Sequence, residues 1–213
     1  MRLQCKSGQT RRHAMVALAS LSLGATGVRA QSPVGQPFQT LSPPITEDRR
    51  KVVEFFSYVC PVCQRMHKGL ASWAKTLPKS MTFESVAIPI SSADLEEKLL
   101  LFRAAVSIVH PSLVAAWDDL VFDDLYAGQN NVVSIVRRAA QTLRIDINGL
   151  IGLSSQATVS RVVAWVDRAK SYRVRVTPTI AVAGLYTASP DALDEREDLF
   201  PMLLNGLVSR SLP

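Results

Sequence analysis

A stretch of twelve residues, 52–63, constrains this chain more than any other part of its sequence. It begins with an apolar, β-favouring run and ends in a Cys-x-x-Cys motif formed by Cys60 and Cys63, and residues 64–76 have the pattern of a helix. Pro61 fits the first turn of that helix, because the N–H that proline lacks would have no partner there. Cys60 then lies at the helix N-terminus, where free N–H groups and the helix dipole stabilise a thiolate. The stretch therefore predicts a redox-active dithiol.

The number of cysteines favours a reactive pair over a structural staple. The chain has three cysteines, and one of them, Cys5, lies in a predicted leader. A disulfide between Cys60 and Cys63 would close a loop so short that it removes little entropy from the unfolded chain. We therefore expect Cys60 to be the nucleophile and the more exposed thiol, and Cys63 to be the resolving thiol. The alternative is a structural pair or two free thiols.

Residues 1–30 have the composition of a secretory signal peptide. A basic start is followed by an apolar stretch at residues 14–25, which is shorter than the roughly 20 helical residues that span a bilayer. Cleavage after about Ala30 and export to the periplasm are expected, with an uncleaved anchor as the alternative. The leader carries five of the 24 basic residues and no acidic ones, so the remainder has 19 basic and 18 acidic residues. The charge of the exported part gives no reason to expect a nucleic-acid partner.

The rest of the chain alternates between strand and helix patterns in an order that places a helical block inside a sheet. The predicted strands cover residues 38–41, 52–58, 81–90, 174–182 and a partner strand from 185, and the predicted helices cover residues 61–77, 95–109, 111–126, 131–143, 146–153, 157–171 and 194–209. The resulting segments are the signal peptide 1–30, the first part of an α/β domain at 31–90, an inserted helical domain at 91–171, and the second part of the α/β domain at 172–213. Ser91 and Asp94 predict a capping box, and Pro201 should either kink the last helix or lie in its first turn.

Three motifs resemble those of the DsbA family of bacterial periplasmic thiol:disulfide interchange proteins, which are thioredoxin-like. Residues 53–63 read Val-Glu-Phe-Phe-Ser-Tyr-Val-Cys-Pro-Val-Cys, residues 174–179 read Val-Arg-Val-Thr-Pro-Thr, and residues 35–41 match the start of the family's sheet. The resemblance covers nearly the whole exported chain. It implies an α/β fold class, a thioredoxin fold with an inserted helical domain, and a cis peptide bond between Thr177 and Pro178 that packs against the cysteines.

The resemblance also implies a set of catalytic residues, namely Cys60, Cys63, Pro178, Thr177 and Glu54. Glu54 lies in an apolar strand, where burial penalises a charged carboxylate, and the family suggests that it accepts or donates a proton beneath the cysteines. The alternative for Glu54 is a carboxylate at a strand end that reaches solvent. The alternative for Pro178 is a proline that simply opens a strand.

Three positions depart from the family pattern. Val62 stands where the archetype has histidine, Thr177 stands where it has valine, and Val176 stands where many relatives have glycine. The histidine helps to stabilise the thiolate, whereas valine offers neither a donor nor a charge. We therefore expect the couple to be less oxidising than that of the archetype, and the direction of electron flow stays open.

We expect the protein to be an exported thiol:disulfide oxidoreductase that acts as an oxidase on unfolded or partly folded exported proteins. Its electrons would pass to a membrane redox partner, which by resemblance is a quinone-coupled oxidase. One alternative is a client-specific reductase or isomerase. No cofactor and no metal are assigned.

A non-enzymatic copper carrier is an alternative from another class of protein. It would use Cys60, Cys63 and His67, since soft sulfur ligands and imidazole suit copper. Helical spacing instead predicts that Met66 faces the core and that His67 faces solvent, which would leave His67 without a ligand role.

Overall fold

The structure, a computed structural model, describes residues 36–153, 155–193 and 196–212, so the predicted signal peptide and its cleavage after Ala30 lie outside the described residues. A five-stranded mixed sheet lies at the centre. Its strands are β1 (Gln39–Thr40), β2 (Lys51–Phe56), β3 (Thr82–Ala87), β4 (Thr179–Val182) and β5 (Tyr186–Ala188). They are arranged in the order β1-β5-β4-β2-β3, in which β2 and β3 are parallel and the other neighbours are antiparallel.

Helices cover both faces of the sheet, and most of them lie between β3 and β4. The helices of the described residues are α1 (Pro61–Ala74), α2 (Asp94–Val109), α3 (Val114–Tyr126), α4 (Val132–Leu143), α5 (Ile147–Ile151), α6 (Ser155–Ser171) and α7 (Phe200–Ser211). Helices α2 to α6 form a helical insertion in the chain that builds the sheet. The predicted fold class, an α/β thioredoxin fold with an inserted helical domain, is confirmed. Within the described ranges, no helix is both long enough and apolar enough to cross a bilayer.

The alternating side chains of β2 connect the sheet to three buried clusters. Val53 and Phe55 point to one face and pack with residues of α2 and α6. Val52 points to the other face and packs with α1 and α7. Phe56, at the end of the strand, belongs to a cluster that contains both cysteines and the core of helices α2 to α5. The Cys-x-x-Cys motif therefore lies where the sheet meets the helical insertion.

The structure decides two predictions about where helices begin, and it contradicts the first of them. Ser91 does not cap α2: the helix begins after Ala93 without a side-chain cap, and the hydroxyl oxygen of Ser91 accepts the backbone N–H of Ala93 at 3.2 Å instead of one inside the helix. The capping-box prediction was therefore wrong. Pro201 lies in the first turn of α7, which is one of the two predicted outcomes, and residues 197–199 form a 3-10 turn before it.

Strand β4 is shorter than predicted, because it begins at Thr179 and not at residue 174. The backbone N–H of Val174 bonds to the carbonyl oxygen of Ala169 at the end of α6, at 3.0 Å. Residues 174–178 therefore form a connection rather than a strand. This connection carries Thr177 and Pro178 to the cysteines.

Candidate redox-active site

The fold places the two cysteines at the N-terminus of α1, as predicted. Cys60 is the N-cap residue, and its sulfur accepts a hydrogen bond from the backbone N–H of Cys63 at 3.3 Å. Both thiols are free, and they are 4% and 1% exposed respectively. Cys60 is thus the more exposed of two buried thiols, and a client would have to reach it from above the helix end.

The surroundings of Cys60 favour its thiolate. The hydrogen bond from the thiol of Cys63 is the largest influence, and together with the side chain of Thr177 and the backbone N–H groups of Cys63 and Val62 it lowers the pKa of Cys60 to about 6. Burial acts in the opposite direction but is outweighed. A thiol with such a pKa is mostly ionised at neutral pH and is a good leaving group from a disulfide.

Cys63 has the opposite character. Burial raises the pKa of its thiol far above the ordinary value, and the hydrogen bond that it gives to Cys60 raises the pKa further. The backbone N–H of Ser57 acts in the other direction. Because one proton is shared between two adjacent sulfurs, Cys60 carries the negative charge of the reduced pair and Cys63 keeps the proton.

The connection before β4 lies against the nucleophile. The Thr177–Pro178 peptide bond is cis, as the resemblance implied. The carbonyl oxygen of Thr177 lies 3.1 Å from the sulfur of Cys60, and Pro178 is buried. Val176 is 42% exposed and lies at the surface beside them. The structure thus brings together four of the predicted catalytic residues.

Glu54, the fifth predicted catalytic residue, is buried on β2 and is 2% exposed, so the alternative of a strand-end carboxylate that reaches solvent is wrong. Burial, with a further contribution from the negative charge of Asp118, raises its pKa to about 8, and the positive charge of Arg103 opposes this. Its side chain lines a cavity of about 550 Å³ between the sheet, α1 and the helical insertion. A carboxyl group with this pKa can hold a proton at neutral pH, but its role beneath the cysteines stays a prediction.

Two buried carboxylates beside the site were missed by the sequence reasoning. Glu96 and Asp118 are buried carboxylates of the helical insertion, and they bond to Ser57 and Tyr58, the residues that follow strand β2. Their only signal in the sequence is a charged residue within an apolar helical pattern. That signal does not say which partner each one has, because the partners are 39 and 60 residues away.

His67 is buried, and the prediction that it faces solvent was wrong. It is 7% exposed, its Nε2 lies 2.8 Å from Oδ1 of Asp119, and its ring lies 4.6 Å from that of Phe122. Helix α3 covers this face of α1, so a residue one turn after Cys63 points into an interface. In the part of the chain that the structure describes, no group of three His, Cys, Asp or Glu side chains could hold a metal ion.

Comparisons by sequence and by structure relate the chain to proteins of the same name. No protein-family model matches the chain. The chain is 28% identical over 191 residues to the thiol:disulfide interchange protein DsbA of Bordetella parapertussis, covering 85% of this chain and 86% of that protein. It is 26% identical over 189 residues to the protein of that name from Escherichia coli strain K12, covering 84% and 87%.

Solved structures agree with these relatives at the level of the fold. The disulfide oxidoreductase DsbA from Proteus mirabilis superimposes with a TM-score of 0.63 at 18% identity, covering 82% of this chain and 96% of that one. Pseudomonas aeruginosa DsbA gives a TM-score of 0.58 at 18% identity, covering 81% and 94%. Sequence relatives and solved structures point to the same group of proteins, and the chain is similar over most of its length to the DsbA family of thiol:disulfide interchange proteins.

Proposed function

We propose that this protein is a thiol:disulfide oxidoreductase that exchanges a Cys60–Cys63 disulfide with cysteines of exported proteins, and that its main direction is the introduction of disulfides. The observation that carries the proposal is the asymmetry of the pair: the pKa of Cys60 is lowered to about 6, whereas that of Cys63 is raised. A disulfide whose outer sulfur leaves readily as a thiolate is a good oxidant. The curated relatives bear the name of this activity.

The exchange takes place in two balanced steps. A client thiolate attacks the sulfur of Cys60, the Cys60–Cys63 bond breaks, and its electron pair goes to Cys63. A second client thiolate then attacks the client sulfur of this mixed disulfide, so that Cys60 leaves as a thiolate and the client is oxidised. The carbonyl oxygen of Thr177, 3.1 Å from the Cys60 sulfur, lies beside the position that a client sulfur would take.

The clients are exported proteins that are unfolded or partly folded, because the reacting sulfur is only 4% exposed and requires an extended segment to approach it. A structure of Proteus mirabilis DsbA with a non-covalently bound peptide, PWATCDS, supports a cysteine-containing segment as the ligand. The reduced protein must then pass two electrons to another protein. We infer a membrane oxidase coupled to quinone, and a periplasmic location after cleavage near Ala30, by analogy with the family.

The direction of the reaction depends on the reduction potential of the couple. Val62 contributes a backbone N–H that lowers the pKa of Cys60, but its side chain adds no further donor. We therefore expect a potential below the roughly −120 mV of the strongly oxidising family archetype. A histidine side chain that stabilises the thiolate by about 1.4 kcal/mol would raise the reduction potential by about 30 mV. The Val62→His variant should therefore be more oxidising. The Val62→Leu variant is the control and should keep the reduction potential of the unmodified protein.

The test has two parts, equilibration of the mature protein with glutathione and a disulfide-exchange assay with Cys60→Ser. A potential well above the roughly −270 mV of thioredoxin supports the oxidase, and a value near it would make the protein a reductase or isomerase. Exchange by Cys60→Ser at the rate of the unmodified protein would contradict the proposal as a whole. Cys5 is absent from the mature protein and does not complicate either measurement.

A further inference from the structure

Two buried carboxylates of the helical insertion bond to the segment that leads from β2 to Cys60. Glu96, on α2, accepts a hydrogen bond from the hydroxyl of Ser57, with 2.5 Å between the oxygens. Asp118, on α3, accepts a hydrogen bond from the hydroxyl of Tyr58. Glu96 and Asp118 are 0% and 1% exposed. Two successive residues of the active-site segment are thus held by side chains that come from another part of the chain.

Glu96 is itself fixed in place by the loop that follows β3. Its carboxylate accepts hydrogen bonds from the backbone N–H of Ile90 at 3.1 Å, from that of Ser91 at 2.9 Å and from the hydroxyl of Ser91 at 2.8 Å. With the hydroxyl of Ser57, this makes four donors. A buried carboxylate with so many donors has one geometry, because any rotation would leave donors without an acceptor.

Ser57 transmits this fixed geometry to the cysteines. Its hydroxyl oxygen accepts the backbone N–H of Val59 at 3.1 Å, and its carbonyl oxygen accepts that of Cys60 at 3.2 Å. The sulfur of Cys60 in turn accepts the backbone N–H of Cys63 at 3.3 Å. The position of Ser57 therefore helps to set where the Cys60 sulfur lies relative to Cys63.

Tyr58 is fixed from both of its ends. Its carbonyl oxygen accepts a hydrogen bond from Nε2 of Gln64 on α1, at 3.0 Å. Its hydroxyl donates to Asp118, whose carboxylate is held by Nε and Nη2 of Arg103, each at 2.9 Å from an oxygen. The segment before Cys60 is thus bonded to α1 on one side and to the helical insertion on the other.

We propose that Glu96 and Asp118 are positioning residues of the exchange reaction, which hold Ser57 and Tyr58 so that the carbonyl oxygen of Ser57 keeps the backbone N–H of Cys60, and with it the Cys60 sulfur, in place beside Cys63. The proposal rests on the proposed function. In the forward direction Cys63 receives the electron pair when the Cys60–Cys63 bond breaks. In the reverse direction the Cys63 thiolate attacks Cys60, the disulfide re-forms, and the client thiolate leaves with the pair from the mixed disulfide. Both directions need the sulfur of Cys60 to lie within reach of the sulfur of Cys63.

The closure of the Cys60–Cys63 ring can be measured by itself. The reduced mature protein is mixed with oxidised glutathione, quenched with acid at successive times, and analysed by mass spectrometry for the glutathione adduct of Cys60. The adduct should be short-lived in the unmodified protein. In Glu96→Gln and in Ser57→Ala we expect ring closure to be about tenfold slower, equivalent to about 1.4 kcal/mol, so that the adduct accumulates while its rate of formation by Cys60 changes little.

Asp124→Asn is the matched control. Asp124 is another buried carboxylate of α3, 4% exposed, but it pairs with Arg138 on α4 rather than with the active-site segment. The Asp124→Asn substitution should lower thermal stability, but the glutathione adduct should not accumulate in this variant. Ser57→Ala removes a single hydroxyl, so it serves as the test if Glu96→Gln does not fold.

Two results would overturn the proposal: ring closure at the unmodified rate in Ser57→Ala, or equal slowing in Asp124→Asn, which would trace the effect to general loss of stability. A different failure concerns the proposed function. If oxidised glutathione neither forms an adduct with the unmodified reduced protein nor converts it to the Cys60–Cys63 disulfide, the exchange activity is contradicted before the role of Glu96 is reached.

Discussion

Cys60 and Cys63 show how far single residues of the same type can differ in reactivity when their surroundings differ. Both are buried, and both lie in the first turn of α1. Cys60 accepts hydrogen bonds from the Cys63 thiol and from free N–H groups of the helix end, whereas Cys63 donates a hydrogen bond to Cys60 and keeps its proton. The lower pKa of Cys60 is therefore a property of the reduced pair and is lost when the partner is removed.

Alkylation of the reduced protein tests this asymmetry. Iodoacetamide reacts with the thiolate, so the rate at Cys60 should rise with pH to a plateau with a midpoint near pH 6, the pKa of its thiol. In Cys60→Ser, Cys63 should stay unreactive through neutral pH, because burial raises its pKa. In Cys63→Ala, which has no side-chain donor, the midpoint for Cys60 should move upward, because the largest influence on its pKa is removed. An unchanged midpoint would show that the helix end alone sets this pKa.

Glu54 should make stability depend on pH in an unusual direction. Its folded-state pKa, about 8, lies above the ordinary value of 4.5, so between these values the folded chain holds a proton that the unfolded chain has lost. The free energy of unfolding must then fall as the pH rises through this window, by an amount on the order of a few kcal/mol. Below about pH 4.5 both states hold the proton and the contribution is constant.

Urea unfolding from about pH 5 to about pH 8.5 measures this effect. Glu54→Gln has no such titration, so its stability relative to the unmodified protein should increase with pH across the window. Glu97→Gln, at an exposed carboxylate of α2, should keep the original slope. Parallel slopes for Glu54→Gln and the unmodified protein would mean that the carboxyl ionises at its ordinary pKa despite its burial.

At the scale of secondary-structure elements, sequence periodicity predicted the helices and strands well but not what their faces contact. Helix α1 was predicted to end before Pro78 and ends at Ala74, because the chain tightens into a turn in which the N–H of Lys75 bonds to Ser72. Periodicity identifies a stripe of apolar residues along a helix, and histidine is not counted among the apolar residues. His67 was therefore assigned to solvent, although a partner helix covers it.

The same limit applies to the polar residues around the site. Cys60 and Cys63 could be identified because four consecutive residues suffice to define their motif. Thr177 and Pro178 required the resemblance, because they lie 117 residues or more from Cys60. The only local signal of Glu96 is a charge within an apolar helical pattern, which does not identify Ser57 as its partner. Buried polar groups are specified by partners that are distant in sequence, and these partners become neighbours only in the folded chain.

The contact between α1 and α3 should depend on His67. Replacing it with alanine removes the hydrogen bond to Asp119 and the contact with the ring of Phe122, and we expect a loss of about 1–3 kcal/mol in the free energy of unfolding. Lys68→Ala is the control, since Lys68 is adjacent and also pairs with α3, through Asp123, but its side chain is 69% exposed. Unfolding by urea should separate the two variants clearly. Equal stabilities would mean that His67 adds nothing to the interface beyond a surface ion pair.

Across the whole molecule, the sheet and the helical insertion are joined by a buried arginine. Arg103 of α2 bonds to both carboxylate oxygens of Asp118 and to the carbonyl oxygen and hydroxyl of Ser85 on β3, each at 2.9–3.2 Å. Its guanidinium lies 5.2 Å from the ring of Phe56 on β2 and 4.8 Å from that of Trp165 on α6. One side chain, 1% exposed, therefore contacts two strands and two other helices.

Arg103→Met should cost about 3–5 kcal/mol, because it leaves the Asp118 carboxylate buried without a cation. Adding Asp118→Asn removes that unpaired charge and keeps an acceptor for the hydroxyl of Tyr58, so the double variant should be more stable than the single one. Lys98→Met, at an exposed pair with Asp94, should change stability by no more than about 0.5 kcal/mol. Denaturant unfolding followed by circular dichroism measures all three. If Arg103→Met behaved like Lys98→Met, apolar packing would suffice to hold the insertion on the sheet, and the buried pair would serve only to orient Asp118 toward Tyr58.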